Sequence, residues 1–334
     1  MNGYQIDFLS FTLPTGHLPK AMELLRSFDL KSQDKGLYGY KFSYTAVGCK
    51  LLFTPDRPEV HVQLSGRGCD AFDCFSLPND AKVTRLDIAF DSFDGYYTVE
   101  DVWGCLLQDK YAGKSRTIDG YMGFAGKHSG RTVYIGSPKS DTRLRIYDKA
   151  AEQGITQKQR LDYKDWSRFE LQLRGDSASV AYSEIIRLKS LSGSPESESL
   201  AIVFESYLST MFWLCDTPQI KTKLENGKQI DVRKNHRNIA LPSKQWLLMF
   251  RKYNVDRPKI VRRNSTLSNL TKYVLNSASA YKSLSLIFPD FHKIFDEKLS
   301  EVSFSEHHEE LLLDFIPITI DSELAQIHCF NLPF

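Results

Sequence analysis

The sequence lacks the motifs that mark several large classes of protein. Its six cysteines form no Cys-x-x-Cys pair, and its histidines do not have the spacing of a zinc site. Residues 1–12 do not combine a basic start with an apolar stretch, as a signal peptide does. No apolar run approaches the roughly 20 residues that span a membrane. We therefore expect a reduced, cytoplasmic protein with free thiols and without a membrane partner.

The chain also has little net charge, with 43 Lys and Arg against 41 Asp and Glu, or +2 at pH 7. A protein that binds nucleic acid through its overall charge would be far more basic. Any DNA affinity must therefore come from local surfaces. Residues 219–263 are the clearest candidate, because they hold thirteen Lys and Arg and three Asp and Glu.

The order of strand-like and helix-like segments predicts an α+β fold. Branched and aromatic residues favour strands at 4–12, 38–46, 49–54, 60–65 and 82–91, and again at 121–124, 132–136, 142–149 and 167–174. Residues 18–28, which follow the first strand, have helical spacing, and so do residues 98–107, which follow the strand at 82–91. We expect one curved antiparallel sheet, built from two β-α-β-β-β halves, with helices on one face. In this scheme Asp7 and Asp87 occupy equivalent places.

The character of the sequence changes after the strand at 167–174. Residues 177–188, 200–214, 266–288 and 291–299 have helical spacing, and the basic segment lies between them. We expect an antiparallel-sheet domain at 1–190 and a mostly helical, basic region for DNA binding and oligomerisation at 191–334.

Strand alternation places polar side chains from four segments on one face of the sheet. The apolar residues of EVHVQLSG, RLDIAFD, TRLRIYDK and SRFELQLRG alternate with polar ones. A polar face is commonly just solvated, but this one is mostly Asp, Glu and Arg and includes a tyrosine, so it predicts a site. Its members are His61, Gln63, Arg85, Asp87, Asp91, Arg143, Arg145, Tyr147, Lys149, Arg168, Glu170, Gln172 and Arg174.

These residue types suit metal-assisted phosphoryl transfer. Carboxylates on rigid strands favour a hard cation such as Mg²⁺ or Mn²⁺, which can polarise a phosphate. A tyrosine can be the nucleophile, although ionising it at pH 7 costs about 4 kcal/mol. Arg145, Lys149 and a metal ion would offset part of that cost. A tyrosine that only packs in the core or on the surface remains the alternative. The turn SGRGC at 65–69 is a further, weaker candidate for a phosphate contact.

Together, four ordered motifs resemble the replication initiation factors of the Rep_trans type. They are SGRGC (65–69), TRLDIAFD (84–91), VYIGSPKSDTRLRIYDKAAEQG (133–154) and WSRFELQLRG (166–175). The opening IDFLSFT and the helical segment 266–288 are similar as well, so the resemblance covers most of the chain. This family includes plasmid rolling-circle initiators, filamentous-phage replication proteins and some conjugative relaxases.

The resemblance implies metal-dependent nicking of one strand at an origin, with Tyr147 as the nucleophile and a 5′-phosphotyrosine intermediate. Asp87 and Glu170 match the acidic positions, with Asp91 and His61 as further candidate ligands. Arg145, Lys149 and Arg168 would neutralise phosphate charge. The expected DNA-binding residues are Arg67, Lys139, Arg143, Arg233, Lys234, Arg237, Arg262 and Arg263.

The expected partners are origin DNA, both duplex and single-stranded or hairpin, and a second copy of the chain in a homodimer. A host helicase and polymerase would follow the nick. Two alternatives remain open: a conjugative relaxase of the same family, and a non-catalytic regulatory protein that binds an origin.

Overall fold

Ten strands form one antiparallel sheet in the computed structural model, in the order β2-β3-β4-β5-β1-β6-β11-β10-β9-β8. The structure describes residues 3–33, 35–93, 97–123, 130–155, 166–192, 195–225, 228–233 and 240–250. The chain forms two compact units, residues 1–260 and 261–334, and the described residues belong to the first. In chain order the strands are β1 (Gly3–Pro14), β2 (Lys31–Gln33), β3 (Phe42–Ala46), β4 (Cys49–Phe53), β5 (Glu59–Ser65), β6 (Lys82–Ser92), β7 (Tyr111–Ala112), β8 (Ile118–Gly123), β9 (Gly130–Ile135), β10 (Thr142–Asp148), β11 (Ser167–Arg174), β12 (Trp213–Leu214), β13 (Ile220–Glu225) and β14 (Lys228–Arg233).

Local signals in the sequence explain where several helices begin. Thr98 and Asp101 form a reciprocal capping box at the start of the helix that follows β6. Asp148 and Ser243 accept hydrogen bonds from backbone N–H groups in the first turns of two further helices. The helices are α1 (Leu18–Leu24), α2 (Arg67–Ala71), α3 (Val99–Leu107), α4 (Lys149–Glu152), α5 (Gly175–Ser192), α6 (Glu196–Met211) and α7 (Lys244–Met249).

The core lies between one face of the sheet and the helices α5 and α6. Small residues on α5, Ala178 and Ala181, are fully buried and allow a close approach to the sheet. The apolar residues of β6, β10 and β11 that strand alternation assigned to the core are buried there, as predicted. They are Leu86, Ile88, Phe90, Leu144, Ile146, Phe169, Leu171 and Leu173.

The sheet contains two similar halves that meet at β1 and β6. In each half a strand and a helix are followed by four sheet strands, one more than the pattern predicted. Leu9 pairs with Leu86 at the centre, and each of these leucines pairs outward with a leucine of the next strand, Leu64 or Leu173. The α+β prediction, with an antiparallel sheet and helices on one face, is therefore confirmed.

The pairing corrects the expected equivalence of Asp7 and Asp87. With Leu9 equivalent to Leu86, the counterpart of Asp87 is Ser10, and the counterpart of Glu170 is His61. Asp7 instead lies at a β-bulge, where the pairing with β6 skips it. Sequence similarity alone concealed this bulge, because IDF and LDI look alike.

Part of the predicted helical region packs on the sheet. Tyr4 of β1 donates a hydrogen bond of 3.0 Å to Glu205 of α6, and its ring contacts Phe204 at 5.4 Å. The strands β12, β13 and β14 fall in a region expected to be mostly helical. The helices expected at 266–288 and 291–299 lie outside the described residues. Among the described helices, none is both long and apolar enough to cross a membrane.

Candidate active site

The candidate nucleophile and the candidate acids lie on three adjoining strands, on the face opposite the core. Arg145 of β10 pairs with Glu170 of β11, and Tyr147 of β10 pairs with Arg168. On the other side of β11, Gln172 pairs with Asp87 of β6. The strand register therefore brings together side chains that are up to 85 positions apart in the sequence.

This polar face is buried, which distinguishes it from an ordinary solvated face. The exposed fractions are 2% for Asp87, 2% for Tyr147, 3% for Glu170 and 3% for Arg168. Burying charged groups is costly unless they are paired, so such clusters are uncommon outside functional sites and ion-pair networks.

Tyr147 is held by an acid on one side and by cations on the other. Its hydroxyl donates to Glu170 Oε2 at 3.3 Å. The Arg145 guanidinium lies 3.8 Å from the centre of its ring, and Lys149 Nζ lies 5.7 Å from it. Burial, and then the Glu170 charge, raise the pKa of the Tyr147 phenol above its usual value, while Arg168 and Arg145 oppose the shift. The phenol is therefore protonated at rest, and its proton points at a carboxylate.

Arg145 is a partly exposed cation of the site. Its Nη1 lies 3.7 Å from Glu170 Oε2. Its buried Nε has no hydrogen-bond partner in the described part of the chain. The exposed part of the guanidinium, 27% of the side chain, can contact a phosphate oxygen.

Asp87 combines burial with a single cationic partner. Arg85 donates to both of its oxygens, at 3.0 and 2.6 Å. Burial raises the pKa of Asp87 to about 7; Arg85 lowers it, and the charges of Glu170 and Asp7 raise it further. Because the charged form of Asp87 is so disfavoured, a bound cation would stabilise it strongly.

Arg168 belongs to a separate network. It donates to both Asp91 oxygens, at 2.7 and 2.6 Å, and to Asp7 Oδ1 at 2.6 Å. Trp166 Nε1 also donates to Asp91, at 2.9 Å. Asp91 is therefore better described as the residue that holds Arg168 than as a metal ligand. Arg168 already uses its guanidinium on these acids, so a phosphate contact by Arg168 stays a prediction that this network does not favour.

Asp7 is the site residue that the sequence analysis missed. Ile6 and Leu9 are both buried in the core, so the two residues between them, Asp7 and Phe8, turn to the polar face. Bulges re-aim side chains in this way and are common beside active sites. The only signal in the sequence was the apolar spacing of Ile6 and Leu9, which departs from strict alternation.

His61 lies far from the acids. It is on β5, and β1 and β6 separate it from the strand of Glu170. Three strand spacings amount to roughly 14 Å, too far for His61 and Glu170 to share one ion. Its ring instead contacts Tyr40 and Tyr38, at centroid distances of 6.1 and 6.2 Å. A His61 metal ligand therefore stays a prediction, and its separation from Glu170 does not favour it.

Asp87 and Glu170 are the residues that fit a metal ion. The described residues contain no group of three His, Cys, Asp or Glu side chains that could hold one. Mg²⁺ in phosphoryl-transfer sites, however, is often bound by one or two carboxylates together with phosphate and water. A pair of buried carboxylates on adjoining strands matches that donor set.

The turn at 65–69 supports the fold. Gly66 donates its N–H to the carbonyl of Asp7 at 2.8 Å. A Cβ at Gly68 would lie 1.9 Å from the carbonyl oxygen of Gly48, so these backbones are in direct contact. The glycines therefore serve packing and the bulge, and the phosphate contact expected of this turn stays a prediction.

The predicted DNA-binding residues are only partly described. Arg67 and Lys139 are exposed. Arg143 is half-buried, with its Nε donating to the carbonyl of Gly136 and its guanidinium 3.9 Å from the ring centre of Tyr134. Arg233 ends β14, and its side chain is not described. Lys234, Arg237, Arg262 and Arg263 lie outside the described residues.

The chain is similar to known proteins in both sequence and fold. Residues 81–295 match the family model described as replication initiation factor, Rep_trans. The chain is 26% identical over 210 residues to the putative DNA relaxase NicK of Bacillus subtilis (strain 168), a match that covers 56% of this chain and 59% of that protein. The chain thus spans under two thirds of that relative. A solved rolling circle replication initiator protein from Geobacillus stearothermophilus has the same fold, with a TM-score of 0.57 and 23% identity over 75% of this chain and 95% of that one.

Proposed function

The chain belongs to the replication initiation factor family, and from that premise we propose that it nicks one DNA strand at an origin, with Tyr147 as the nucleophile. The observation that carries this proposal is the hydrogen bond from the Tyr147 hydroxyl to Glu170 in a buried site with Arg145 and Lys149 beside the ring. A tyrosine that served only to fill the core would need neither the acid nor the cations.

The reaction can be written with this chain's own groups. The Tyr147 oxygen attacks the scissile phosphorus, and its proton passes to Glu170 Oε2. The bond from phosphorus to the 3′ oxygen breaks, and that oxygen leaves as a 3′ hydroxyl after taking up a proton from water. The 5′ phosphate stays on Tyr147 as a phosphodiester, so the energy of the broken bond is kept. Attack by the 3′ hydroxyl reverses the steps and rejoins the strand.

The cations of the site neutralise the phosphate. The Arg145 side chain is 27% exposed and its guanidinium lies over the nucleophile, so it can contact a phosphate oxygen. Lys149 is buried and paired with Glu152 at 2.8 Å, close enough to the ring to stabilise a developing phenolate. When bound by Asp87 and Glu170, Mg²⁺ or Mn²⁺ would supply a Lewis acid for the phosphate.

Covalent capture tests the nucleophile. A single-stranded oligonucleotide from the cognate origin, cut so that the released piece diffuses away, should leave a protein–DNA adduct on the tryptic peptide that contains Tyr147. The Tyr147→Phe variant should form no adduct. Tyr134→Phe, on the neighbouring strand β9, is the matched control and should react normally. An adduct that persists in Tyr147→Phe would disprove the assignment.

Metal binding can be measured separately from nicking. Calorimetry on the full chain without DNA measures Mn²⁺ binding. We expect binding to be lost in Asp87→Ala and in Glu170→Ala and kept in Asp91→Asn. Wild-type-like binding in both alanine variants would refute the site.

A relaxase that nicks a transfer origin is the second candidate. The similarity to the putative DNA relaxase NicK favours it. A replication initiator and a relaxase would use the same chemistry, so these two functions differ only in the origin sequence that is nicked. Nicking of supercoiled plasmids that carry either a replication or a transfer origin from the source element separates them. If neither plasmid is nicked but an origin is bound, the non-catalytic alternative holds.

We also propose partners for the steps that surround the nick. The 3′ hydroxyl would prime a host polymerase after a host helicase has opened the duplex. We expect the protein to act as a homodimer in the cytoplasm, and light scattering at working concentration measures the mass that decides this.

A further inference from the structure

An aromatic pocket lies on the polar face beside Asp87. It is a cavity of about 270 Å³ with Phe8, Tyr38, Tyr40 and His61 among its lining residues. Arg85 also lines it and at the same time binds Asp87, so the pocket adjoins the proposed nicking site. Nothing in the proposed reaction uses these rings.

The rings and cations of the pocket are held in defined positions. Tyr40 stacks on His61 with an angle of 24° between the rings, and Tyr38 meets His61 edge-on at 75°. The Arg57 guanidinium lies 4.4 Å from the ring centre of Tyr40, and that of Arg85 lies 4.1 Å from that of Phe8. Flat faces beside fixed cations are the features that bind bases of single-stranded nucleic acid.

Two polar side chains in the pocket are available to a ligand. The His61 ring nitrogens and the Gln63 amide make no hydrogen bond with any other described residue. Gln63 offers both a donor and an acceptor, and His61 can offer one of each. Such a pair can read the edge of a base once the base is unpaired.

Tyr38 has a backbone conformation that supports a functional role. Its φ is +53°, in the left-handed region that tyrosine rarely adopts, and its side chain is 70% exposed. A strained, exposed aromatic residue costs stability, and such strain is common where a side chain is positioned for a ligand.

We propose that this pocket takes one unpaired base of the DNA strand that is nicked, stacked against Tyr38, with its edge facing His61 and Gln63. The pocket lies over β1 and β5. Three strand spacings, or roughly 14 Å, separate β1 from the strand of Tyr147. A single strand that crosses the sheet would cover this distance in a few nucleotides. The inference rests on the proposed function for the identity of the strand.

Binding to two probes tests the pocket. The first is a fluorescein-labelled oligothymidylate of about twelve nucleotides, within the usual site sizes of single-strand binders; the second has the same backbone without bases. Stacking contributes about 1–3 kcal/mol per base, so Tyr38→Asn should weaken oligothymidylate binding roughly 5- to 150-fold. Binding of the abasic strand should not change. Asn tolerates the positive φ at position 38, so the backbone is preserved.

Two control variants separate stacking from general damage. Tyr38→Phe keeps the ring and should bind as the wild type does. Phe42→Ala removes a partly exposed ring that stacks on Phe53, away from the pocket, and should also leave binding unchanged. The proposal fails if Tyr38→Asn binds oligothymidylate normally, if it loses both probes equally, or if the wild type binds oligothymidylate no better than the abasic strand.

Photocrosslinking shows where the base lies and isolates this inference from the nicking mechanism. With 5-iodouracil in the oligonucleotide and no metal present, the crosslinked peptide of the Tyr147→Phe protein should contain Tyr38, Tyr40 or His61. A crosslink elsewhere refutes the pocket. Base-dependent binding without any nicking in the wild type would refute the proposed function and leave the pocket standing. Normal nicking by the wild type, together with normal oligothymidylate binding by Tyr38→Asn, would refute the pocket and leave the proposed function standing.

Discussion

Asp87 combines a cost to stability with a proposed role in function. Its carboxyl is buried, and burial raises its pKa from 3.8 to about 7. Between these two values the folded protein binds more protons than the unfolded chain, so stability falls as the pH rises through this window. Above pH 7 the full cost of the buried charge remains.

The Asp87→Asn variant removes that charge without changing the shape of the side chain. In a chelating buffer at pH 8 we expect a higher thermal midpoint than for the wild type, with the difference shrinking as the pH falls from 7 towards 4. Nicking with Mg²⁺ or Mn²⁺ should be lost at every pH. Thermal unfolding at several pH values measures the first effect. A variant that is less stable at pH 8 would show that the Arg85 ion pair outweighs the burial.

At the scale of elements, Arg168 joins three neighbouring strands. Its partners Asp7 and Asp91 belong to β1 and β6, and Arg168 itself belongs to β11. Breaking a buried ion pair by removing one partner leaves an uncompensated charge, which typically costs about 3–5 kcal/mol.

We therefore expect Arg168→Gln to lower the free energy of unfolding by roughly that amount. Asp7→Asn should cost less, because the Asp7 side chain is 22% exposed and can be solvated in part. Urea denaturation of both variants tests this order. If Arg168→Gln lowers the free energy of unfolding by less than about 1 kcal/mol, the ion pairs of Arg168 contribute no more than solvent-exposed pairs do.

The contact between Gly48 and Gly68 gives a second prediction for the elements. Gly68→Ala would place a methyl group against the Gly48 carbonyl, forcing apart the β3–β4 turn and α2. We expect a loss of about 1–3 kcal/mol, the usual cost of overpacking.

Gly104→Ala is the matched control in α3, where a methyl group meets nothing within 4 Å. Alanine is the better helix former, so this variant should gain about 0.5–1 kcal/mol. Urea denaturation compares the two variants. Equal effects would mean that the close backbone approach has no energetic consequence.

For the whole molecule, the near balance of charge predicts that DNA binding depends on local basic segments. If Arg262 and Arg263 contact phosphates, replacing both with Gln should reduce the salt dependence of duplex binding by up to about 0.9 in slope per lost contact. The control is Arg187→Gln, because Arg187 is paired with Glu184 on α5. Fluorescence anisotropy at several salt concentrations gives the slopes. An unchanged slope would exclude this pair from the DNA surface.

The sequence by itself determined the fold class and the composition of the polar face. Both follow from the two-residue period of strands, which is a property of the chain. It also carried the family resemblance, which the match over residues 81–295 confirms. Tyr147, Asp87 and Glu170 were identified as candidates in this way.

Only the tertiary structure decided which of these side chains meet. Partners across a sheet depend on register and bulges, which are set by the packing of the whole sheet and are weakly encoded locally. The bulge at Asp7, the capture of Asp91 by Arg168 and the distance of His61 from the acids all arise at that level. So does the aromatic pocket, because Phe8, Tyr38 and His61 come from separate segments that adjoin only after the sheet has formed.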